Sequence, residues 1–341
     1  RIEQVTNELH GMCIDLITDV IERGDYEGFN LPDHAKHLIE ASWNSDCRSL
    51  YGRFDLAFRD GQLKMFEYNA DTPTSLLEAA VVQWNWLQDM KLPDQFNSIH
   101  DKLVARWKYL AKDFRLGTQL FLTAMKTQSP EDWANVNYLM NTALESGVWP
   151  TVSVIELETI GIAEDETKFL DNKGNPIEAC FKLYPWEWML EDEFSQHLIN
   201  ADTRWFEPEW KMLLSHKAIL PMLWQKHQGH PNLLEAVALK DNCFIHVPTN
   251  GEWVVKPALA REGANTTIFK DGMPVAAGID YNEEYDKQYV AQRCFDLPCF
   301  DGMYPVIGSW IIGEEAAGIG IRESKTLVTG NTSSFVPHYF D

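Results

Sequence analysis

The stretch RFDLAFRDGQLKMFEYNADTPTS, running from Arg53 to Ser75, constrains the fold of this chain more than any other. Phe54, Leu56, Phe58, Leu63, Met65 and Phe66 mark two paired strands, yet Arg53, Asp55, Glu67, Asn69 and Asp71 are threaded among them. An ionised side chain is costly to bury unless it is paired or liganded. The strands must therefore gather their charges on one face or neutralise them locally. Arg59-Asp60-Gly61 reads as the turn. A two-residue turn at Asp60-Gly61 puts Asp55 and Glu67 on opposite faces of the sheet. A three-residue loop, with Gly61 in the left-handed slot, sets Arg53 opposite Glu67 and leaves Asp55 and Asn69 on the same face. Phe54, Leu56, Phe58, Lys64, Phe66 and Tyr68 then take the other face. The second register separates charge from apolar surface better and is the expectation, although it leaves Ala57 and Met65 among the charges.

In that register one face offers Asp55, Glu67 and Asn69 as hard oxygen donors. Such a set suits Mg²⁺ rather than zinc. Arg53 beside them suits a bidentate contact to a phosphate or acyl phosphate. Immediately downstream, Thr72 and Pro73 read as the N-cap and first position of a helix, and Ser75 with Glu78 as a second capping box. A helix start rimmed by Thr72, Thr74 and Ser75 can hold an anion such as a substrate carboxylate. The plain structural alternative is a salt-bridged hairpin followed by a capped helix.

The rest of the chain supplies a frame. Apolar spacing predicts helices over 2–21, 75–90, 101–113, 131–146, 186–200 and 213–227. Strands are expected over 119–125, 152–160 and 177–184, then over 252–258, 264–270, 288–293, 304–312 and 315–322. The middle alternates strand and helix, which points to an α/β layer, and the last third is mostly strand. At 341 residues the chain is long enough for two or three cored domains, with boundaries expected near 115 and 201. A net charge of −22 argues against nucleic acid and is compatible with a cationic ligand. No apolar run reaches the length of a membrane span, and PVIGSWIIG (305–313) reads as a strand. Cys13, Cys47, Cys180, Cys243, Cys294 and Cys299 include no C-x-x-C pair and read as reduced core thiols of a cytoplasmic protein. The pairs His34/His37 and His227/His230 lack a neighbouring Cys or acidic pattern and are not read as a zinc site. Nothing resembling a signal peptide stands at this start, which is Arg1.

A second constellation is WVVKPALAREGAN, Trp253 to Asn265, in which two strands flank a loop holding Arg261 and Gly263 and Lys256 closes the first strand. It is neither a Walker A loop nor G-x-G-x-x-G. Lys-strand-loop-strand spacing of this kind can cover a triphosphate with backbone amides and basic side chains. Arg322 in GIGIRES and Lys217 in SHKAILP are further candidates, although each alone reads as a surface charge.

Together RFDLAFRDGQLKMFEYNADTPTS, FEPEWKMLLSHKAILPMLW, VVKPALAREGAN and AAGIGIRES closely resemble the glutathionylspermidine synthetase family, in its C-terminal ATP-grasp ligase part. The resemblance spans nearly the whole chain. It implies an α/β (α+β) ATP-grasp fold preceded by a pre-ATP-grasp-like α/β domain. The division would be 1–115 for the helical and hairpin region carrying the metal and phosphate motif, 116–200 for the substrate-side region, and 201–341 for the nucleotide-binding region. It further implies ATP with Mg²⁺, as two ions, and a carboxylate joined to an amine through an acyl phosphate. Carried over by motif, Asp55, Glu67 and Asn69 resemble the Mg²⁺ ligands, and Arg53, Arg261 and Arg322 the catalytic arginines. Lys217, Lys256, Gly263 and Gln292 fall on the nucleotide side. Thr72 and Thr74 stand where the family has serines near glutathione, and Glu131 and Asp132 match an acidic pair holding the amine. FKLYPWEWM keeps Lys182, Trp186 and Trp188 of the family's glutathione pocket but none of its threonines, and the sequence does not include the amidase domain of bifunctional members. The implied acid is thus glutathione or another peptide, and the amine a polyamine or similar cation. A catalytically silent nucleotide- or polyamine-binding relative is the second reading, and phosphoryl transfer without ligation the third.

Overall fold

The hairpin does not stand alone. In the computed structural model, which describes residues 1–127, 129–239, 244–261, 263–278, 288–330 and 333–341, it forms one edge of a five-stranded antiparallel sheet. Strands Tyr51–Arg59 and Gln62–Asn69 pair with each other, and Tyr51–Arg59 also pairs with Tyr304–Ile312. Glu315–Ser324 and then Ser334–Val336 complete the sheet. The first helix, Ile2–Arg23, lies on it and buries Val5, Leu9, Met12, Leu16 and Val20, the stripe expected from the sequence. Thr6 and Ser309 meet through their hydroxyls at 2.7 Å. The helix stops at Gly24, which takes the left-handed conformation at φ 63°.

A second, parallel sheet runs Val152–Glu156, Leu120–Ala124, Ala179–Leu183, Arg204–Phe206. Helix Pro130–Ser146 makes the crossover between its first two strands in the chain. Ser129 and Asp132 cap that helix reciprocally, with Pro130 in its first turn. Leu120–Ala124 and Ala179–Leu183 are buried throughout, as strands of a covered parallel sheet should be. The third sheet is antiparallel, in the order Met273–Ala277, Thr267–Lys270, Glu252–Pro257, Tyr289–Arg293, Ala236–Ala238.

Several expectations are revised. The region 186–200 is helical only over Trp186–Met189, and a short 3₁₀ turn, Ser195–His197, follows. Glu191, Asp192 and Glu193 break the apolar stripe after Met189, and the Tyr184 hydroxyl donates to Asp192 at 3.1 Å, holding that segment as a turn. The helix expected over 213–227 is two helices, Lys211–Ser215 and Ile219–Lys226, broken at an extended His216. The strand expected over 152–160 ends at Glu156 and closes in a 3₁₀ turn, Leu157–Thr159. Of the expected core thiols, Cys13 and Cys180 are buried, Cys47 and Cys294 are half-buried and Cys299 is exposed, while Cys243 lies outside the described residues. No described helix is long and apolar enough to cross a membrane.

Candidate active site

The hairpin turn is the two-residue one. Asp60 and Gly61 both take positive φ, 51° and 75°, and Arg59 faces Gln62. The three-residue register is not formed, and the two-residue register holds only as far as Leu56/Met65, because a β-bulge interrupts the pairing between Asp55 and Leu56. Leu56 faces Met65, and the next pair is Asp55 with Glu67, so Phe66 is the extra residue. The bulge inverts the alternation of the second strand. Met65 already joins Leu56 in the main core through the turn's own register, whereas beyond the bulge Asp55/Glu67 and Arg53/Asn69 become directly opposed pairs on one face, the face-sharing expected from the sequence. Lys64 pairs with Ala57, and Phe66 packs beside Ala57, so neither shares a face with Phe54 and Tyr68, whose rings stack at 3.9 Å. Phe58 is exposed.

Like charges directly opposite one another need counterions. Asp55 accepts from Arg53 Nε at 2.7 Å and from Arg322 Nη2 at 2.7 Å. Glu67 lies 3.4 Å from Lys217 Nζ. Burial raises both carboxyls, but the Arg53 and Arg322 guanidiniums outweigh it at Asp55, and the Lys217 and Lys256 ammoniums at Glu67, so both sit below the usual carboxylate range. Asn69 Nδ2 is 3.4 Å from each carboxylate, and rotating its amide places the oxygen there instead. Ionised carboxylates with an adjacent amide oxygen fit a hard divalent cation such as Mg²⁺. Lys256 donates to Gln292 Oε1 at 2.8 Å and to the Phe66 carbonyl, the bulged residue, at 3.2 Å. Burial pushes its ammonium down to about 8. Arg53 crosses the neighbouring strand at Gly308, where an added Cβ would come within 2.8 Å of Arg53 Cδ. Gly308→Ala is expected to turn Arg53 away from Asp55 and lower kcat/KM about tenfold, which steady-state kinetics on the variant would read.

Lys217 occupies the break between the two helices, donating to the Ala260 carbonyl at 2.5 Å. The preceding His216 and the distant His10 are both pushed down to about 3, chiefly by burial, with nearby lysines helping. Their folded pKa lies below the unfolded 6.5, so the unfolded chain takes up protons first as pH falls. The contribution of these two imidazoles to stability is therefore complete above about pH 6.5 and is lost below it, while Glu209, whose carboxyl burial raises to about 7, works in the opposite direction over the same range. Denaturant midpoints at pH 7 and pH 5 should show this, and His216→Gln should reduce the slope by about 1.4 kcal/mol per pH unit.

The loop after the hairpin departs from the expected cap. Its helix begins at Leu76 rather than Pro73, and it passes through a π-turn, Glu78–Val82, before Gln83–Met90. Ser75 takes φ 65°, and the Leu76 and Leu77 amides donate to Asn135 Oδ1 from the crossover helix. The expected anion site at this helix start is thus filled by an amide side chain. Thr72 instead accepts from Arg261 Nη1, and the Thr74 carbonyl accepts from Arg53 Nη1 at 2.6 Å. Arg261 also reaches Glu187 at 2.7 Å, and its guanidinium lies 6.0 Å from the Trp188 ring.

These groups line one cavity of about 590 Å³. Arg53, Asp55, Glu67, Asn69, Thr72, Thr74, Asp132, Lys217, Lys256, Arg261, Gly263, Gln292 and Arg322 all contribute to its wall, whereas Glu131 does not. Glu131 stands 3.5 Å from the Ser75 hydroxyl, and the Asp132 carboxylate is engaged by its own helix cap. Gly263 fits a tight approach, since a Cβ there would meet the Thr329 carbonyl at 2.8 Å. Lys182 and Trp186 are fully buried and do not reach the cavity; Trp188 does. Sequence reasoning missed the partners of these residues. Asp71 accepts from Lys182 Nζ and from the Trp186 amide, both at 2.8 Å. Glu207 accepts from the Leu50 and Tyr51 amides and from Lys211, fastening the start of the hairpin. A lysine alone inside the apolar ACFKL strand is the one signal that a buried carboxylate had to be near.

The chain matches the glutathionylspermidine synthase preATP-grasp family over residues 1–341. It is 48% identical over 348 residues to a Haemophilus influenzae protein provisionally described as an acid–amine ligase, a match that takes in 100% of this chain and 87% of that one. It is 27% identical to trypanothione synthetase of Crithidia fasciculata, over 96% of this chain and 53% of the relative, and so spans about half that relative's length. Among solved structures, a glutathione synthetase-like effector from Globodera pallida in its apo form aligns with a TM-score of 0.56 at 10% identity, covering 98% of this chain and 85% of that chain. The shared fold is mixed α/β, of the ATP-grasp ligase type.

Proposed function

Because the chain belongs to the glutathionylspermidine synthase preATP-grasp family, we propose that it is an ATP- and Mg²⁺-dependent ligase joining a small carboxylic acid to a cationic amine. The observation that carries this reading is the opposed pair of ionised carboxylates, Asp55 and Glu67, inside a ring of Arg53, Arg322, Lys217 and Lys256. Asp55, Glu67 and Asn69 would hold Mg²⁺. The metal, when bound, neutralises phosphate oxygens and aligns them for transfer. Lys217 and Lys256 stand toward the sheet of strands 252–257 and 289–293, on the nucleotide side. Arg53 and Arg322 are placed to stabilise charge that develops as an acid oxygen bonds to the terminal phosphorus and ADP leaves. Attack of the amine on the resulting acyl phosphate forms the amide and releases phosphate. The amine loses a proton in this step, and the overall −22 charge of the chain favours approach of its cationic form.

ADP release from the purified chain, measured with ATP and Mg²⁺ against a matrix of peptides, glutathione included, and polyamines, tests the reading. Release that requires both an acid and an amine, with the amide seen by mass spectrometry, supports it. Release with an alcohol alone, giving a stable phosphoester, would turn the reading to a kinase.

A further inference from the structure

The charged centre of the cavity is flanked by two apolar walls of different origin. One comes from the third sheet, through Val254 and Ile268, and faces the nucleotide side. The other comes from the parallel sheet. Adjacent strands Leu120–Ala124 and Ala179–Leu183 end at this cavity, and the residues at and just beyond their ends, Met125, Leu183, Pro185 and Trp188, line it. Carboxyl ends of parallel strands are where open α/β sheets receive ligands.

The ionic groups near this second wall are already committed. Lys182 is spent on Asp71 and the Tyr184 carbonyl. Glu187 is spent on Arg261, and Asp132 on the Ser129 cap. A zwitterionic γ-glutamyl end would have to compete for one of these pairs or settle for the neutral hydroxyls of Thr127 and Ser129 beside the carbon of the wall, at a cost in either case. Trp188 is 37% exposed, its ring edge-on to Tyr184 at 5.7 Å and facing the Arg261 guanidinium. A continuous path, Arg53 to Thr74, Thr72 to Arg261 and Arg261 to Trp188, joins this wall to the phosphate centre. An acid whose carboxylate sits by Arg53 would extend its body along that path onto Trp188.

We infer that the acid substrate carries an apolar or aromatic side chain beside its reacting carboxylate and docks it on Met125, Leu183, Pro185 and Trp188, in preference to a glycine-ended peptide such as glutathione. The inference rests on the ligase reading, and the experiment separates the two. The probes are dipeptides ending in Leu or Phe, the corresponding dipeptides ending in Gly, and glutathione, each with spermidine. Leu- or Phe-ended acids should exceed the Gly-ended ones in kcat/KM by about tenfold or more. Trp188→Ala and Met125→Ser should each reduce that ratio toward unity while leaving KM for ATP within about twofold. Equal or better use of glutathione, or a ratio indifferent to both substitutions, overturns the inference. Calorimetric titration of the same acids into the protein with ADP and Mg²⁺ covers the case of no turnover. Selective binding of the apolar acids there keeps the wall and overturns the ligase, and no selectivity overturns the wall.

Discussion

Arg261→Ala should lower kcat by about 10²–10³-fold while changing KM for ATP only a few-fold, by analogy with the removal of one preorganised donor from a charge-stabilising site. Arg261 joins three separate parts of the fold. It extends from the loop after strand Glu252–Pro257, donates to Thr72 behind the hairpin, and pairs with Glu187 at the end of the parallel sheet. On the proposed reading Lys217 and Lys256 would still hold the nucleotide when it is lost, which is why binding and turnover should separate. Glu187 is left without this cation, but its carboxylate is partly exposed, so the fold should stand. Arg261→Lys restores charge without the fork and should recover only a small part of the rate. Steady-state kinetics beside nucleotide binding by calorimetry decide the matter. An unchanged kcat, or a rate loss explained wholly by weaker nucleotide binding, removes Arg261 from the chemistry.

Lys182→Met should destabilise the protein by about 3–5 kcal/mol, because it strands a buried carboxylate. The side chains of Lys182 and Asp71 are 0% and 1% exposed and meet at 2.8 Å. The Lys182 ammonium also sits over the Trp186 ring at 4.3 Å. At about 2–4 °C per kcal/mol, a melting shift of roughly 10 °C is expected. Adding Asp71→Asn should recover part of the loss. The amide can still accept from the Trp186 backbone, and no charge is then left buried. Thermal melts of the two single variants and the double test this. A single variant melting within about 2 °C of the parent would show that Asp71 finds another partner or water, and that the pair does not fasten the hairpin loop to the parallel sheet.

The chemistry of the site was legible because it is written as residue types in short motifs. RFDLAFRDGQLKMFEYN announces two strands, a turn and an oxygen-rich charge set, and four separated motifs carried the family. That these charges share one face was legible; which of them stand opposite one another was not, since Asp55 faces Glu67 and Arg53 faces Asn69. Register in a hairpin follows the turn and the apolar alternation, and neither of these signals a bulge. Phe66 can be absorbed there because its carbonyl receives Lys256 from another sheet and its ring packs beside Ala57. The start of the helix at Leu76 is hidden from the sequence for a similar reason. Thr72-Pro73 is a good local start, but Asn135, 59 positions away in sequence, supplies a buried cap three residues later.

The sequence by itself determined many of the longer elements, the inventory of ionisable groups and the family, since helical and strand periodicity and turn chemistry act over a few residues. Only the tertiary structure decided which of those groups face one another. Asp55 and Arg322 are 267 positions apart and meet because strand Tyr51–Arg59 pairs with Tyr304–Ile312, which in turn pairs with Glu315–Ser324. Choosing a strand partner is a competition among packed surfaces and buried charges across the whole molecule, and no local pattern in the chain encodes its outcome.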